Sequence, residues 1–198
     1  TTTLMGLGSF PEIHPLALGM LGLHGRPCAN LAVGEADLII GLGVRFDDRV
    51  TGLIDKFAPQ AKKVHVDIDP AEIGKNVEVN LPIVGELSLV MREVLRLTAP
   101  ARRQSWLDRI QVLKEERPLR YRRDGNELRP QYIIEQLGEL SRHQAIVTAD
   151  VGQHQMWTAQ YYGFARPGSF LTSGGLGTMG YGFPAAIGAQ LADPDALV

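Results

Sequence analysis

Residues 36–43 read ADLIIGLG, an apolar run interrupted only by Asp37 and closing in glycine. A run this short and this uniformly apolar suits a strand buried on both faces, as in parallel sheets. The pattern repeats outward. Residues 63–70, KVHVDIDP, give a second strand closed by an acidic turn and a proline. Residues 82–85, PIVG, give a short third. It runs into a helix over 86–98, where Leu87, Val90, Met91, Val94 and Leu95 fall at helical spacing. Strands alternating with helices imply parallel pairing by right-handed crossovers, so the expected class is α/β with a doubly wound parallel sheet.

After Pro100 the texture changes. Residues 101–124 are rich in Arg, Glu and Lys, with Trp106, Leu107, Ile110 and Leu113 as the only apolar stripe. A helix to Pro118 and an exposed loop over 120–125 are expected, a solvated connection between two domains. From Pro130 the alternation restarts, with helices over 131–140, 153–162 and 184–191 and strands over 145–150 and 169–173. Ala196, Leu197 and Val198 read as the opening of a further strand.

Length and composition agree with that organisation. The 198 residues, 44% hydrophobic and 21% charged, can form one large domain or two small ones with a real core. A net charge of -2 gives no electrostatic reason to expect nucleic acid or an anionic membrane. No apolar run approaches the roughly 20 residues that span a bilayer. Cys28 is the only cysteine, which excludes an internal disulfide and a thiolate metal cluster. The opening TTTLMGLGSFPEIHP lacks the basic start and cleavage site of a signal peptide, so a cytoplasmic-type soluble protein is expected.

Four stretches carry candidate chemistry. Residues 173–184, SGGLGTMGYGFP, lie between a strand and a helix, where glycines let the backbone approach a ligand and helix N-termini attract anions. A mobile glycine loop is the plainer alternative. Residues 150–157, DVGQHQMW, follow a strand end; Gln153 and His154 could donate to a phosphate at the helix start, or simply face water. In residues 41–49, GLGVRFDDR, arginine forks flanking two aspartates suit a phosphate or carboxylate, or make a surface ion-pair cluster. Asp67 and Asp69 stand where an acid commonly holds a ribose hydroxyl, or where Asp-x-Asp-Pro merely starts a turn. His14, His65 and His143 follow no metal-ligand spacing and read as structural or surface residues.

Taken in order, TTTLMGLGSFP, HPLALGMLGLHG, ADLIIGLGVRFDDRVTG, VDIDPAEIGKN, DVGQHQMW and SGGLGTMGYGFPAAIGA make the chain resemble the catalytic large subunit of acetohydroxyacid synthase, or acetolactate synthase. RFDDRVTG with GQHQMW is specific within the thiamine-diphosphate enzymes, while the glycine segment alone indicates only the wider superfamily. The resemblance implies decarboxylation of pyruvate on thiamine diphosphate and ligation of the hydroxyethyl unit to pyruvate or 2-ketobutyrate. That is a step of branched-chain amino-acid biosynthesis. It implies most of a central FAD-binding domain over residues 1–100, a linker over 101–128, and the start of the diphosphate-binding domain over 129–198. The flavin would do no net redox work.

On the same resemblance, FAD contacts fall at Thr3, Leu4, Leu21, Gly22, Leu23, His24, Gly43, Val44, Arg45, Phe46, Asp47, Asp67, Ile68, Glu86 and Leu87. Glu86 departs from a more usual aspartate, and Leu23 from a frequent methionine. Thiamine diphosphate contacts fall at Gln153, His154, Gly177, Thr178 and Met179. There the Gly177 carbonyl would hold the 4′-amino group, and Met179 would wedge the cofactor into its bent form. Arg49 would anchor the second ketoacid's carboxylate. The activating glutamate and the Gly-Asp-Gly…Asn motif for Mg²⁺ are expected outside residues 1–198, so the isolated chain is expected to be inactive. A homodimer or homotetramer with its active site between subunits is implied, and a small regulatory subunit fits the resemblance. The rival readings are a glyoxylate carboligase or pyruvate oxidase type of enzyme, and a non-catalytic FAD-binding module.

Overall fold

The computed structural model describes residues 1–123 and 127–198 and forms two compact units, Asn30–Pro118 and Thr1–Ala29 with Leu119–Val198. In the Asn30–Pro118 unit, β1 (Leu38–Leu42), β2 (Lys62–Asp67) and β3 (Leu81–Val84) form a parallel sheet in that spatial order. All three strands lie within a few residues of their expected bounds. Helix α3 (Leu87–Leu97) follows β3 directly, and α4 (Gln104–Glu116) fills the charged stretch.

Two helices carry no legible signal. Helix α1 (Pro27–Glu35) contains an Asn and a Gly and has no single apolar face, so its pattern resembles a loop. Helix α2 (Asp48–Thr51) is one short turn, capped by Asp47, whose Oδ1 accepts the Val50 N–H at 3.2 Å. The core of this unit includes Phe46, Phe57, Val66, Val77, Ile110 and Leu113. One expectation fails at β1. Gly41 is buried, but Leu38, Ile40 and Leu42 on the alternate side are exposed. An unbroken apolar run has no period that distinguishes a strand covered on one face from one covered on two.

In the other unit, β4 (Val147–Ala149) and β5 (Phe170–Thr172) pair in parallel. Helix α5 (Pro130–Leu140) packs on α6 (Gln153–Tyr161), and α7 (Gly182–Ala192) packs on β4. Helix α7 begins at Gly182 rather than at Pro184; the proline falls in the first turn, where its missing N–H costs no helical bond. Residues 196–198 form no strand, and Leu197 instead accepts a single bond from the Ile146 N–H at 2.8 Å. Phe164 centres the core, with its ring 4.6 Å from Tyr162 and 4.8 Å from Phe170. The N-terminal segment closes on itself through a Thr2–Met20 bridge, and a 2.7 Å bond from the Arg26 guanidinium to the Gln160 carbonyl joins it to the rest of the unit.

The expected solvated loop is tied down as far as Arg123. The Tyr121 hydroxyl donates to Glu135 at 2.5 Å, and Arg123 pairs with the same carboxylate at 2.9 Å while lying over the Tyr121 ring. Asp124 and Gly125 of that loop lie outside the described residues. Among the described residues, no helix is long and apolar enough to cross a membrane.

Glu12 gives this unit a pH dependence. Its backbone N–H donates to the Phe164 carbonyl, and its Oε2 accepts the Phe164 N–H, both at 2.9 Å. Burial raises its pKa, against the opposing pull of Arg26, the Phe164 bond and His143. A raised folded-state pKa means that the folded state holds the proton more tightly. The contribution is therefore fully present below the unfolded carboxyl value, about 4.3, and is lost as pH rises through the folded value. A Glu12→Gln variant keeps an acceptor for Phe164 and has no charge to bury. Its urea midpoint should gain on the parent's as pH climbs through that window; parallel profiles would sink the assignment.

Candidate functional site

The carboxyl ends of β1, β2 and β3 lie side by side, the edge at which open parallel sheets bind ligands. Gly43 to Asp47 leave β1, Asp67 and Ile68 close β2, and Glu86 and Leu87 follow β3. The Gly43 N–H donates to the Val66 carbonyl at 2.8 Å, and the Gly85 N–H to the Asp67 carbonyl at 2.9 Å, which fixes the three ends in register. Space over Gly43 is open, since a Cβ there would meet nothing within 4 Å.

Side chains at this edge are largely committed to the fold. Arg45 pairs with Asp47 at 2.5 Å, and the Asn76 amide donates to the Arg45 carbonyl at 3.1 Å. Asp67 Oδ1 accepts the Asp69 N–H at 2.9 Å, and Asp69 Oδ1 accepts the Ala71 N–H at 2.8 Å. Asp-x-Asp-Pro is thus a turn, whatever else Asp67 holds. Glu86 caps α3 by accepting from the Ser88 and Leu89 N–H groups, each at 3.1 Å, and from the Ser88 hydroxyl. The Ser88 hydroxyl bond is the main reason that its pKa is lowered. Ile68 is exposed, and Arg49 is an exposed cation 3.9 Å from Asp48. The Phe46 side chain is buried against Phe57 and His65, so only its backbone faces the edge. His65 lies buried beneath, its Nε2 3.9 Å from Asp67, and among the described residues neither ring nitrogen has a hydrogen-bond partner.

The remaining expected flavin contacts fall in the other unit. Thr3 Oγ1 accepts the Gly6 N–H at 3.2 Å, and Leu4 packs against the Phe164 core. The Leu21 N–H donates to the Thr2 carbonyl, and Gly22 lies buried beside exposed Leu23. The His24 carbonyl accepts from the Gln160 amide at 2.7 Å, which latches this turn to α6.

Within that same unit the ends of β4 and β5 assemble a second group. Gln153 and His154 open α6 and are exposed, with helical N–H groups directed outward from its first turn. The glycine segment leaves β5, with Gly177 and Gly180 at φ +68° and +84°. The amides on either side of Met179 are held by side chains. The Thr178 N–H donates to Ser173 Oγ at 2.9 Å, and the Gly180 N–H donates to both oxygens of Asp150 at 2.8 and 3.0 Å. Met179 stands between those anchors, 82% exposed. At Gly182 a Cβ would lie 2.7 Å from the Asp150 nitrogen, so only glycine allows α7 this close to β4.

Two contributors were not singled out from sequence. Asp150 is one; its pKa is lowered by the Val151 N–H and then by those of Gly180 and Gly182. Gln155 is the other. Its buried amide donates to Thr172 Oγ1 at 2.8 Å, and that hydroxyl donates to the Ala149 carbonyl at 3.0 Å, which locks α6 to both strands. The signal for Asp150 was a carboxylate at a strand end ahead of a glycine-rich stretch rich in free amides. His14 and His143 are structural: His14 Nδ1 accepts the Leu16 N–H at 3.1 Å, and His143 Nδ1 bonds the Tyr162 carbonyl at 2.8 Å.

Residues 1–94 match the family described as "Thiamine pyrophosphate enzyme, central domain", and residues 150–198 match "Thiamine pyrophosphate enzyme, C-terminal TPP binding domain". The chain belongs to the thiamine pyrophosphate enzymes. Within them its relatives are acetolactate synthases. It is 51% identical to acetolactate synthase 1, chloroplastic, of Zea mays, over 100% of this chain and 32% of that protein. It is 50% identical to the probable acetolactate synthase large subunit of Methanocaldococcus jannaschii, over 100% of this chain and 35% of that protein. It is 48% identical to acetolactate synthase, chloroplastic, of Arabidopsis thaliana, over 100% of this chain and 30% of that protein. The chain thus spans about a third of the length of these relatives.

Proposed function

We propose that the chain is part of the catalytic subunit of an acetolactate synthase, a thiamine-diphosphate-dependent carboligase that joins pyruvate to pyruvate or 2-ketobutyrate in branched-chain amino-acid biosynthesis. The observation that carries the reading is the pairing of an open helix start at 153–154 with a glycine segment at 177–179, both tied to the ends of β4 and β5. Bound thiamine diphosphate would supply a thiazolium carbon that, once deprotonated, can add to a keto carbon and hold the electron pair left when carbon dioxide departs.

The chain's own residues bind and orient. The first N–H groups of α6, with Gln153 and His154, suit a diphosphate through hydrogen bonds and the helix dipole. The Gly177 carbonyl would accept from the 4′-amino group, with Thr178 beside it, and the exposed Met179 side chain would support the bent form. Residues that held the 4′-nitrogen near the reacting carbon would make it an effective intramolecular base. Arg49, exposed and fork-shaped, receives the second ketoacid's carboxylate. Mg²⁺ would offset the diphosphate charge. Among the described residues no group of three or more His, Cys, Asp or Glu could hold a metal.

FAD is proposed at the edge formed by Gly43–Asp47, Asp67, Ile68, Glu86 and Leu87, with Thr3, Leu4 and Leu21–His24 as further contacts. Because Asp47, Glu86 and Phe46 spend their side chains on caps, pairs and core, their contribution would come largely through the backbone. The proposed organisation is a central FAD domain over 1–100, a linker over 101–128 and the opening of the diphosphate domain over 129–198. It would belong to a homodimer or homotetramer, cytoplasmic or, in a eukaryote, plastid or mitochondrial, to which a small regulatory subunit could bind.

The test is product analysis of the intact protein, supplied with pyruvate, 2-ketobutyrate, thiamine diphosphate, Mg²⁺ and FAD. Acetolactate and acetohydroxybutyrate are expected. Tartronate semialdehyde from glyoxylate, or acetyl phosphate, would replace this reading with the carboligase or oxidase one. Flavin absorbance retained after desalting should fall at least tenfold in an Arg45→Ala, Asp67→Ala double variant. Equal retention would remove the flavin edge from the proposal.

A further inference from the structure

We infer that Asp150 is the positioning residue that holds the Gly177–Met179 backbone in a fixed relation to the start of α6. This rests on the thiamine diphosphate reading above and adds to it the group that would preorganise both halves of the cofactor site. The carboxylate joins segments 30 positions apart in sequence: it leaves β4 and accepts the Gly180 N–H on both oxygens, while Oδ1 also accepts the Val151 N–H at 2.9 Å. Gly182, packed on the Asp150 backbone, removes the freedom that a longer gap would give.

The consequence concerns Met179. Gly177 and Gly180 are both in the left-handed region, and glycine there pays the largest entropy on being ordered. Left to itself the segment would sample many conformations, and a carbonyl or thioether displaced by about 1 Å loses much of its catalytic value. Bonds from backbone amides to ionised acceptors are about twice as strong as neutral ones. Asp150 with Ser173 fixes one amide on each side of Met179, so an otherwise loose segment presents that side chain in one place.

The experiment compares the intact protein with its Asp150→Asn variant. Asparagine keeps the shape but leaves one neutral acceptor where two charged oxygens stood. Amide exchange at Thr178–Gly180, thiamine diphosphate affinity by calorimetry, and kcat and pyruvate KM at saturating cofactor are read together. Exchange at Gly180 should quicken at least tenfold, cofactor Kd should weaken about tenfold and kcat should drop about tenfold, with pyruvate KM unchanged. Unchanged exchange would overturn the inference, and so would faster exchange with parental Kd and kcat. If Asp150→Asn does not fold, Asp150→Glu decides: it keeps the charge but moves it by one methylene, and should shift exchange and Kd in the same direction. Parental values there would again overturn the inference. A parent that binds no thiamine diphosphate would defeat the functional reading itself, a pattern distinct from a parent and variant that bind it equally.

Discussion

Phe164→Ala is expected to destabilise the unit that carries the thiamine diphosphate candidates by about 3–5 kcal/mol, the range for truncating a well-packed buried aromatic. Phe164 is 0% exposed, and its ring lies between those of Tyr162 and Phe170 in the cluster that also holds Leu7, Met20, Ala149 and Ala159. Those neighbours come from the N-terminal segment, β4, α6 and β5, so the cavity cannot close by moving one element. The Phe164 backbone is also pinned at both N–H and carbonyl by Glu12, which further limits collapse. Urea unfolding followed by amide exchange in 145–172 would measure the loss. A Phe164→Leu variant should recover more than half of it. A loss below about 1 kcal/mol would mean that the site repacks freely, contrary to the interlocked rings.

The strands were legible because each was an apolar run bounded by glycine, proline or acid, and so were the stretches that leave their carboxyl ends. What could not be read is what those stretches do with their side chains. Glu86, an expected flavin contact, also caps α3, and Arg45, expected either to grip an anion or to join an ion-pair cluster, pairs with Asp47. Both outcomes depend on where adjacent backbone amides point, which residue type does not specify. Asp150 and Gln155 act across gaps of 30 and 17 positions, and such bonds leave no periodic trace in the sequence. Helix α1 shows the opposite failure: a helix formed by tertiary packing, with Ala29 and Ala32 buried, in a segment without helical patterning.

Phe46→Ala should have the second large effect, about 3 kcal/mol or more in the Asn30–Pro118 unit. The residue stands in a charged stretch, GLGVRFDDR, yet its side chain is buried, edge-on to Phe57 at 5.8 Å and to His65 at 5.0 Å. Its backbone lies at φ +49°, a left-handed conformation that a phenylalanine adopts only when packing compels it. Gly41 makes room for the ring, since a Cβ there would come within 2.7 Å of it. The ring therefore holds Val44, Arg45 and Asp47 in place from below, and removing it should release that loop as well as open a cavity. The cavity would border His65, whose ring nitrogens have no partner among the described residues, and water admitted there could bond them. That gain of a hydrogen bond, about 1 kcal/mol, offsets only part of the loss. The expected result is a lower urea midpoint together with faster exchange over 43–51, and with it weaker flavin retention if the edge binds FAD. A destabilised unit whose 43–51 amides exchange at the parental rate would show that the loop is held by the Asp47 cap instead, and that Phe46 supports the sheet alone.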